Sequence, residues 1–190
     1  MEDRTLRNKI RDIFYSGTHA FKGDLEVAGE IAFMVENGYI SMKPRVLADK
    51  EAYLSKAEGI GAGIHPHDDA AGGGPLHMAL KVIAADVFGR ERGQNMKFEQ
   101  GLCGYYPDVL SADKTLAVEC GHTQNPEKIF AYFRQGNVQE LIQVPYPNEE
   151  DVAVVGYSFI PLSGFFEFME AVDKEKRGSL FSVFIKRRNR

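Results

Sequence analysis

Tryptophan is absent from the sequence, cysteine occurs twice, and no apolar run approaches the ~18 residues that a membrane-spanning helix needs. No membrane span and no membrane partner are therefore expected. The N-terminal stretch MEDRTLRNKIRDIFYSG is charged throughout and lacks the apolar run of a signal peptide. Cys103 and Cys120 have no paired metal-ligand spacing and sit in apolar surroundings, as reduced buried thiols do, so a soluble, cytoplasmic setting is expected. Gly59, Gly61 and Gly63 are not followed by a lysine at the spacing of a phosphate-binding loop, and no G-x-S-x-G nucleophile elbow occurs. Strong positive charge is missing too. The formal net charge of -4 excludes a protein that coats nucleic acid by bulk charge alone.

What is present suits one domain of ordinary size. Apolar residues make up 44% of the 190 and charged residues 26%, enough for a real core and a soluble surface. Thirteen Phe and eight Tyr point to an aromatic-rich core. Basic residues gather at the C-terminus, where Lys174, Lys176, Arg177, Lys186, Arg187, Arg188 and Arg190 face the single acid Glu175. Such a tail either contacts phosphates with salt-dependent affinity or is a solvated terminus.

Apolar spacing predicts helices over Thr5–Tyr15, Asp24–Asn37 and Asp49–Ala57, with a short strand over Tyr39–Val46. The run GIGAGIHPHDDAAGGG, residues 59–74, then reads as a glycine-rich loop and the clearest boundary. It divides an N-terminal helical segment, 1–58, from a core over 75–173 and a basic tail over 174–190. Within the core, Pro75 opens a helix ending near Gly89, with Leu76, Leu80, Ile83 and Val87 as its apolar stripe. Strands follow at Met96–Leu102, Tyr105–Leu110 and Thr115–Cys120, the last two joined by a Ser111–Lys114 turn. Asn125-Pro126 starts a helix that ends at Gly136, before strands at Leu141–Val144 and Val152–Ile160 and a helix at Phe165–Val172. The fold class is α/β (α+β), a mixed central sheet flanked by helices.

Two carboxylates stand out. Asp108 follows Pro107 on one strand, and Glu119 ends the apolar run LAVE on the next, where a lone charge is costly to bury. A divalent cation compensates that cost, and Mg²⁺ is commonly held by one or two carboxylates with water and phosphate oxygens. The plain alternative is a pair of strand-end residues pointing to water. A hairpin closed on Ser111–Lys114 does not set the two side by side, so a bulge or strong twist is needed to bring them to one face.

GYYPDVLSADKTLAVECG resembles the core motif of the PD-(D/E)xK nuclease superfamily, in which Pro-Asp on one strand precedes Glu-x-Lys on the next. The likeness spans roughly Leu76 to Val144, in a helix, three strands, helix, strand order. It implies a restriction-endonuclease-like αβββαβ core and hydrolysis of DNA phosphodiesters with Mg²⁺ or Mn²⁺. Asp108 and Glu119 would be metal ligands, with the Cys120 carbonyl as a third and Glu99 as an added acid. The motif lysine is replaced by Gly121, which opens the alternative of a nuclease-fold protein that binds nucleic acid or a protein partner without cutting. Some members supply the amine from the following helix. Lys128, at its third position, is then the replacement, with Gln124 and His122 able to contact water or phosphate. On the first helix His77 and Lys81 lie one turn apart, and LHMALK resembles an H-x-x-L-K pattern of some members. Such nucleases often act as dimers, which makes a homodimer an expectation as well.

Two competing constellations remain. His65-Pro66-His67-Asp68-Asp69 has metal-ligating residue types, but ligands need fixed geometry and this run lies in the glycine-rich loop. Its functional reading is a loop that closes over substrate with His67 or Asp68. Cys120 beside His122 suggests a cysteine nucleophile only if the thiol is exposed.

Overall fold

The computed structural model describes residues 2–15, 22–63, 73–123 and 127–174. The His65–Asp69 cluster, Gln124, the Asn125-Pro126 helix start and the basic residues beyond Lys174 lie outside the described residues. In chain order come helices α1 (Glu2–Tyr15) and α2 (Lys22–Glu36), strand β1 (Ile40–Asp49), and helices α3 (Lys50–Gly61) and α4 (Pro75–Arg92). Strands β2 (Met96–Phe98), β3 (Val109–Ser111) and β4 (Leu116–Cys120) follow, then α5 (Lys128–Gln135), β5 (Glu140–Val144), β6 (Ala153–Pro161) and α6 (Ser163–Lys174).

Among the described residues, six strands form one mixed sheet in the order β1-β6-β5-β4-β3-β2. Only β4 and β5 run parallel, and α5 is the crossover that a parallel pair requires. The α/β (α+β) expectation holds at that level. β1 comes from the N-terminal segment yet pairs with β6 along Ile40–Asp49, so segment 1–58 shares the sheet with the core.

Period-2 alternation gives the sheet two apolar faces. Leu110, Ala117, Leu141 and Phe159 pack with Ile10 and Phe14 of α1, Ile31 of α2, Tyr132 and Phe133 of α5 and Phe165 of α6. Val109, Leu116, Val118, Ile142 and Val144 pack on the other face against Tyr53 of α3 and Leu80 and Ile83 of α4. β4 is buried along its whole length because it is central and covered on both sides. The expected stripe of α4 is only partly right: Leu80 and Ile83 are buried, while Leu76 is 49% exposed. β6 alternates between buried and half-buried positions along most of its length.

Several boundaries differ for local reasons. β2 is three residues long rather than seven, and β3 begins at Val109 rather than Tyr105. Between them the chain turns back on itself through the Leu102–Tyr105 bridge, with Cys103 at φ 53 and Gly104 at φ 81. α4 runs on to Arg92 and stops at Gly93, whose left-handed backbone (φ 61) lets the cap amide reach back to the last turn.

Candidate metal and carboxylate site

The turn between β3 and β4 sets the site. Ser111 Oγ donates to Asp113 Oδ1 at 2.6 Å and accepts from the Leu116 amide at 2.9 Å. Asp113 Oδ1 also accepts from the Thr115 amide at 3.0 Å and the Thr115 hydroxyl at 2.9 Å. These bonds, the Ser111 hydroxyl foremost, hold the Asp113 carboxyl well below the usual carboxylate range. Side chains thus do the work of the first ladder bonds, and the loop is wider than a simple Ser111–Lys114 turn. Leu110 pairs with Ala117 and Val109 with Val118. One further step in that register sets Asp108 opposite Glu119. The expectation that register would keep the two apart is therefore overturned, with no bulge needed. The side-chain-closed turn moves the pairing two residues along β4.

On the flanks, Phe98 pairs with Val109 and the Glu99 amide donates to the Asp108 carbonyl at 3.3 Å, while Glu119 pairs with Gln143 of β5. Glu99, Asp108, Glu119 and Gln143 thus form one row across four strands.

The Asp108 carboxylate is fixed from two sides. Its Oδ2 accepts from the Cys120 amide at 2.7 Å, and its Oδ1 lies 3.1 Å from His77 Nε2. The Lys81 amine sits 3.8 Å from the same Oδ1 and donates to Glu99 Oε1. The Lys81 side chain is wholly buried, which demands such partners. Glu99 holds a left-handed backbone (φ 51), uncommon for a residue with a side chain.

Glu119 is 4% exposed. Its Oε2 accepts from Lys128 Nζ at 2.6 Å and its Oε1 from Tyr132 Oη at 2.8 Å. Burial pushes its carboxyl up to about 7, against the pull of Lys128 and with a further push from the negative charge of Asp108. The Tyr132 phenol is raised well above its ordinary range, by burial first and then by Glu119.

Gly121, two residues after Glu119, has φ 69 and donates its amide to the Val144 carbonyl at 2.7 Å. A Cβ there would lie 2.6 Å from ring atoms of Tyr146. No side chain fits without moving that ring. The loop beyond is pinned by Gln143, which donates to the Gly121 carbonyl at 2.8 Å and accepts from Thr123 Oγ1 at 2.6 Å.

No family model, no curated protein and no solved structure matches this chain.

Asp108 and Glu119 are thus neighbours in register, Asp108 bonded to His77 and near Lys81 of α4, and Glu119 bonded to Lys128 and Tyr132 of α5. Lys128 is the first residue of α5, not its third position, because Glu127 is the N-cap. Gln124 lies outside the described residues, and His122 is exposed with its ring edge-on to Tyr146 at 5.3 Å. Glu99 belongs to the row but is taken by Lys81. Among the described residues no three His, Cys, Asp or Glu side chains group so as to hold a metal ion. The Cys120 side chain faces away from Glu119, into the α3/α4 core. It is 2% exposed, and burial raises its thiol well above its usual value, which removes the cysteine-nucleophile reading. Sequence reasoning missed Tyr132, although its i+4 spacing from Lys128 puts both on one helix face. It also missed Tyr146, in the connection after β5, for which no local signal exists.

Proposed function

We propose that this protein is a metal-dependent nuclease of PD-(D/E)xK type that hydrolyses DNA phosphodiester bonds at Asp108 and Glu119. The observation that carries the reading is the β3–β4 register that sets the two acids opposite each other, with the Lys128 amine 2.6 Å from Glu119. The order α4, β2, β3, β4, α5, β5 supports a restriction-endonuclease-like core.

The donor set suits a hard cation such as Mg²⁺ or Mn²⁺: two carboxylates with the Cys120 carbonyl as the third ligand. Repulsion from Asp108 is one cause of the raised Glu119 carboxyl, and a cation held by these acids would relieve it. Such an ion supplies hydroxide near neutral pH and stabilises charge on the phosphodiester. The chain does the positioning. Tyr132 fixes the Glu119 carboxylate from the core side, and Lys128 orients the attacking water, a role the sequence also offers to Gln124. Glu99, held by Lys81, carries the row of acids to the sheet edge. The basic residues from Lys174 onward contact the DNA backbone.

The test is cleavage of plasmid and branched DNA in Mg²⁺ or Mn²⁺. Asp108→Ala, Glu119→Ala and Lys128→Met should each lose at least about 100-fold in rate, the loss expected where charge stabilisation is removed. Equal cleavage by all four proteins would exclude the site.

One observation favours the non-cutting alternative: both Glu119 oxygens are already engaged and the side chain is 5% exposed. Metal-independent binding of labelled DNA, with no cleavage of any substrate, would decide for it.

A further inference from the structure

We propose that His77 and Tyr146 are positioning residues for Asp108, with Tyr146 filling the space left open at Gly121 and locking the His77 tautomer that donates to the carboxylate. The inference rests on the reading of Asp108 as a metal ligand.

The tautomer follows from hydrogen-bonding capacity. An ionised carboxylate only accepts, so the contact of 3.1 Å between His77 Nε2 and Asp108 Oδ1 places the imidazole hydrogen on Nε2. Nδ1 of the neutral ring then offers a lone pair. Tyr146 Oη lies 3.2 Å from it and donates its hydroxyl hydrogen. In that tautomer both ring nitrogens are engaged, and turning the imidazole over would break both contacts. His77 stands on the first turns of α4, Asp108 before β3, and Tyr146 after β5, so three separate segments meet in one chain of hydrogen bonds.

Gly121 makes that meeting possible. A side chain there would place its Cβ 2.6 Å from the Tyr146 ring and 2.8 Å from its hydroxyl oxygen. His122 packs edge-on against the same ring at 5.3 Å. The glycine that removes the motif lysine therefore admits the tyrosine that fixes His77. With the Cys120 amide on Oδ2 at 2.7 Å, the carboxylate is held at both oxygens, and its remaining lone pairs keep one direction. Partners of this kind behind a metal ligand are typically worth about 10–100-fold in metal affinity.

Mn²⁺ binding at fixed pH, by calorimetry, tests the proposal together with ¹⁵N spectra of the histidine rings. His77→Ala should weaken Mn²⁺ binding about 10–100-fold, and His77→Gln, which keeps an N–H donor of similar reach, should recover most of it. Tyr146→Phe keeps the ring over Gly121 and should weaken binding less, while the His77 spectrum changes from the Nε2–H form to a mixture of tautomers. Unchanged affinity in His77→Ala overturns the proposal, as does an Nδ1–H tautomer in the wild type. Should His77→Ala not fold, Tyr146→Phe decides by the same two measurements. Weakened Mn²⁺ binding in a protein that cleaves no DNA leaves the positioning roles standing and removes the nuclease. A wild type that binds no Mn²⁺ overturns both.

Discussion

Glu119→Gln in the metal-free protein isolates the effect of burying one carboxyl. The wild-type group titrates near 4.5 when unfolded and at about 7 when folded, because burial outweighs the nearby Lys128 amine. Between those values the folded state binds a proton that the unfolded state does not, so stability falls as pH rises. The contribution is fully present below about pH 4.5, declines across the window and is gone above about pH 7. The displacement corresponds to about 3 kcal/mol in all. Glutamine does not titrate and still offers an acceptor to Tyr132.

Urea unfolding of both proteins from pH 4 to 8.5, in EDTA, gives the difference curve. Every other titrating group largely cancels from it. The wild type should lose about 3 kcal/mol relative to Glu119→Gln between pH 4.5 and 7.5, with flat limbs on either side. Saturating Mg²⁺ should flatten the curve, because a bound cation keeps the carboxylate ionised, and Mg²⁺ affinity should itself rise with pH up to about 7. A difference curve of constant height would refute the reasoning, since Glu119 would then titrate alike in both states.

Three further outcomes are expected. Gly121→Ala should cost well over the ~1–2 kcal/mol of a left-handed alanine, because its Cβ also meets the Tyr146 ring; Gly63→Ala, at φ 89 with nothing within 4 Å, is the control for backbone strain alone. Thermal or urea melts of the two variants check this. Asp113→Ala, which removes the acceptor for Ser111 and Thr115, should destabilise the β3–β4 turn and weaken Mn²⁺ binding at Asp108 and Glu119 by loosening their register, as calorimetry would show. Tyr132→Phe should cost roughly 1–3 kcal/mol in chemical denaturation, since it strips a hydrogen bond from a buried carboxylate without changing the packed ring.

Much of this was legible in the sequence, but unevenly. Element types followed from apolar periodicity, and Pro107-Asp108 with Glu119 could be singled out because a charge ending the run LAVE needs a reason. Register was not legible. Ser111-Ala112-Asp113-Lys114 looks like an ordinary four-residue turn, and nothing local says that Ser111 Oγ will take the Leu116 amide and move the pairing by two residues. Long-range partners were hidden for the same reason. Tyr146 reaches His77 across 69 residues and Lys81 reaches Glu99 across 18, and such contacts exist only once the sheet order does.

Under the proposed nuclease reading, Gly121 at the place of the motif lysine is one part of a coupled exchange. The backbone at 121 turns left-handed at φ 69 and binds Val144, so β4 has already ended where the motif expects its lysine. The Tyr146 ring closes the space above. On that reading an amine for Glu119 comes from elsewhere, and α5 begins only seven residues after Gly121, as the crossover that carries the chain to β5. Its first residue, Lys128, takes one Glu119 oxygen, and Tyr132, one turn later, takes the other. Gly121→Lys is therefore no repair on that reading. Its Cβ would displace the Tyr146 ring and with it the contact to His77.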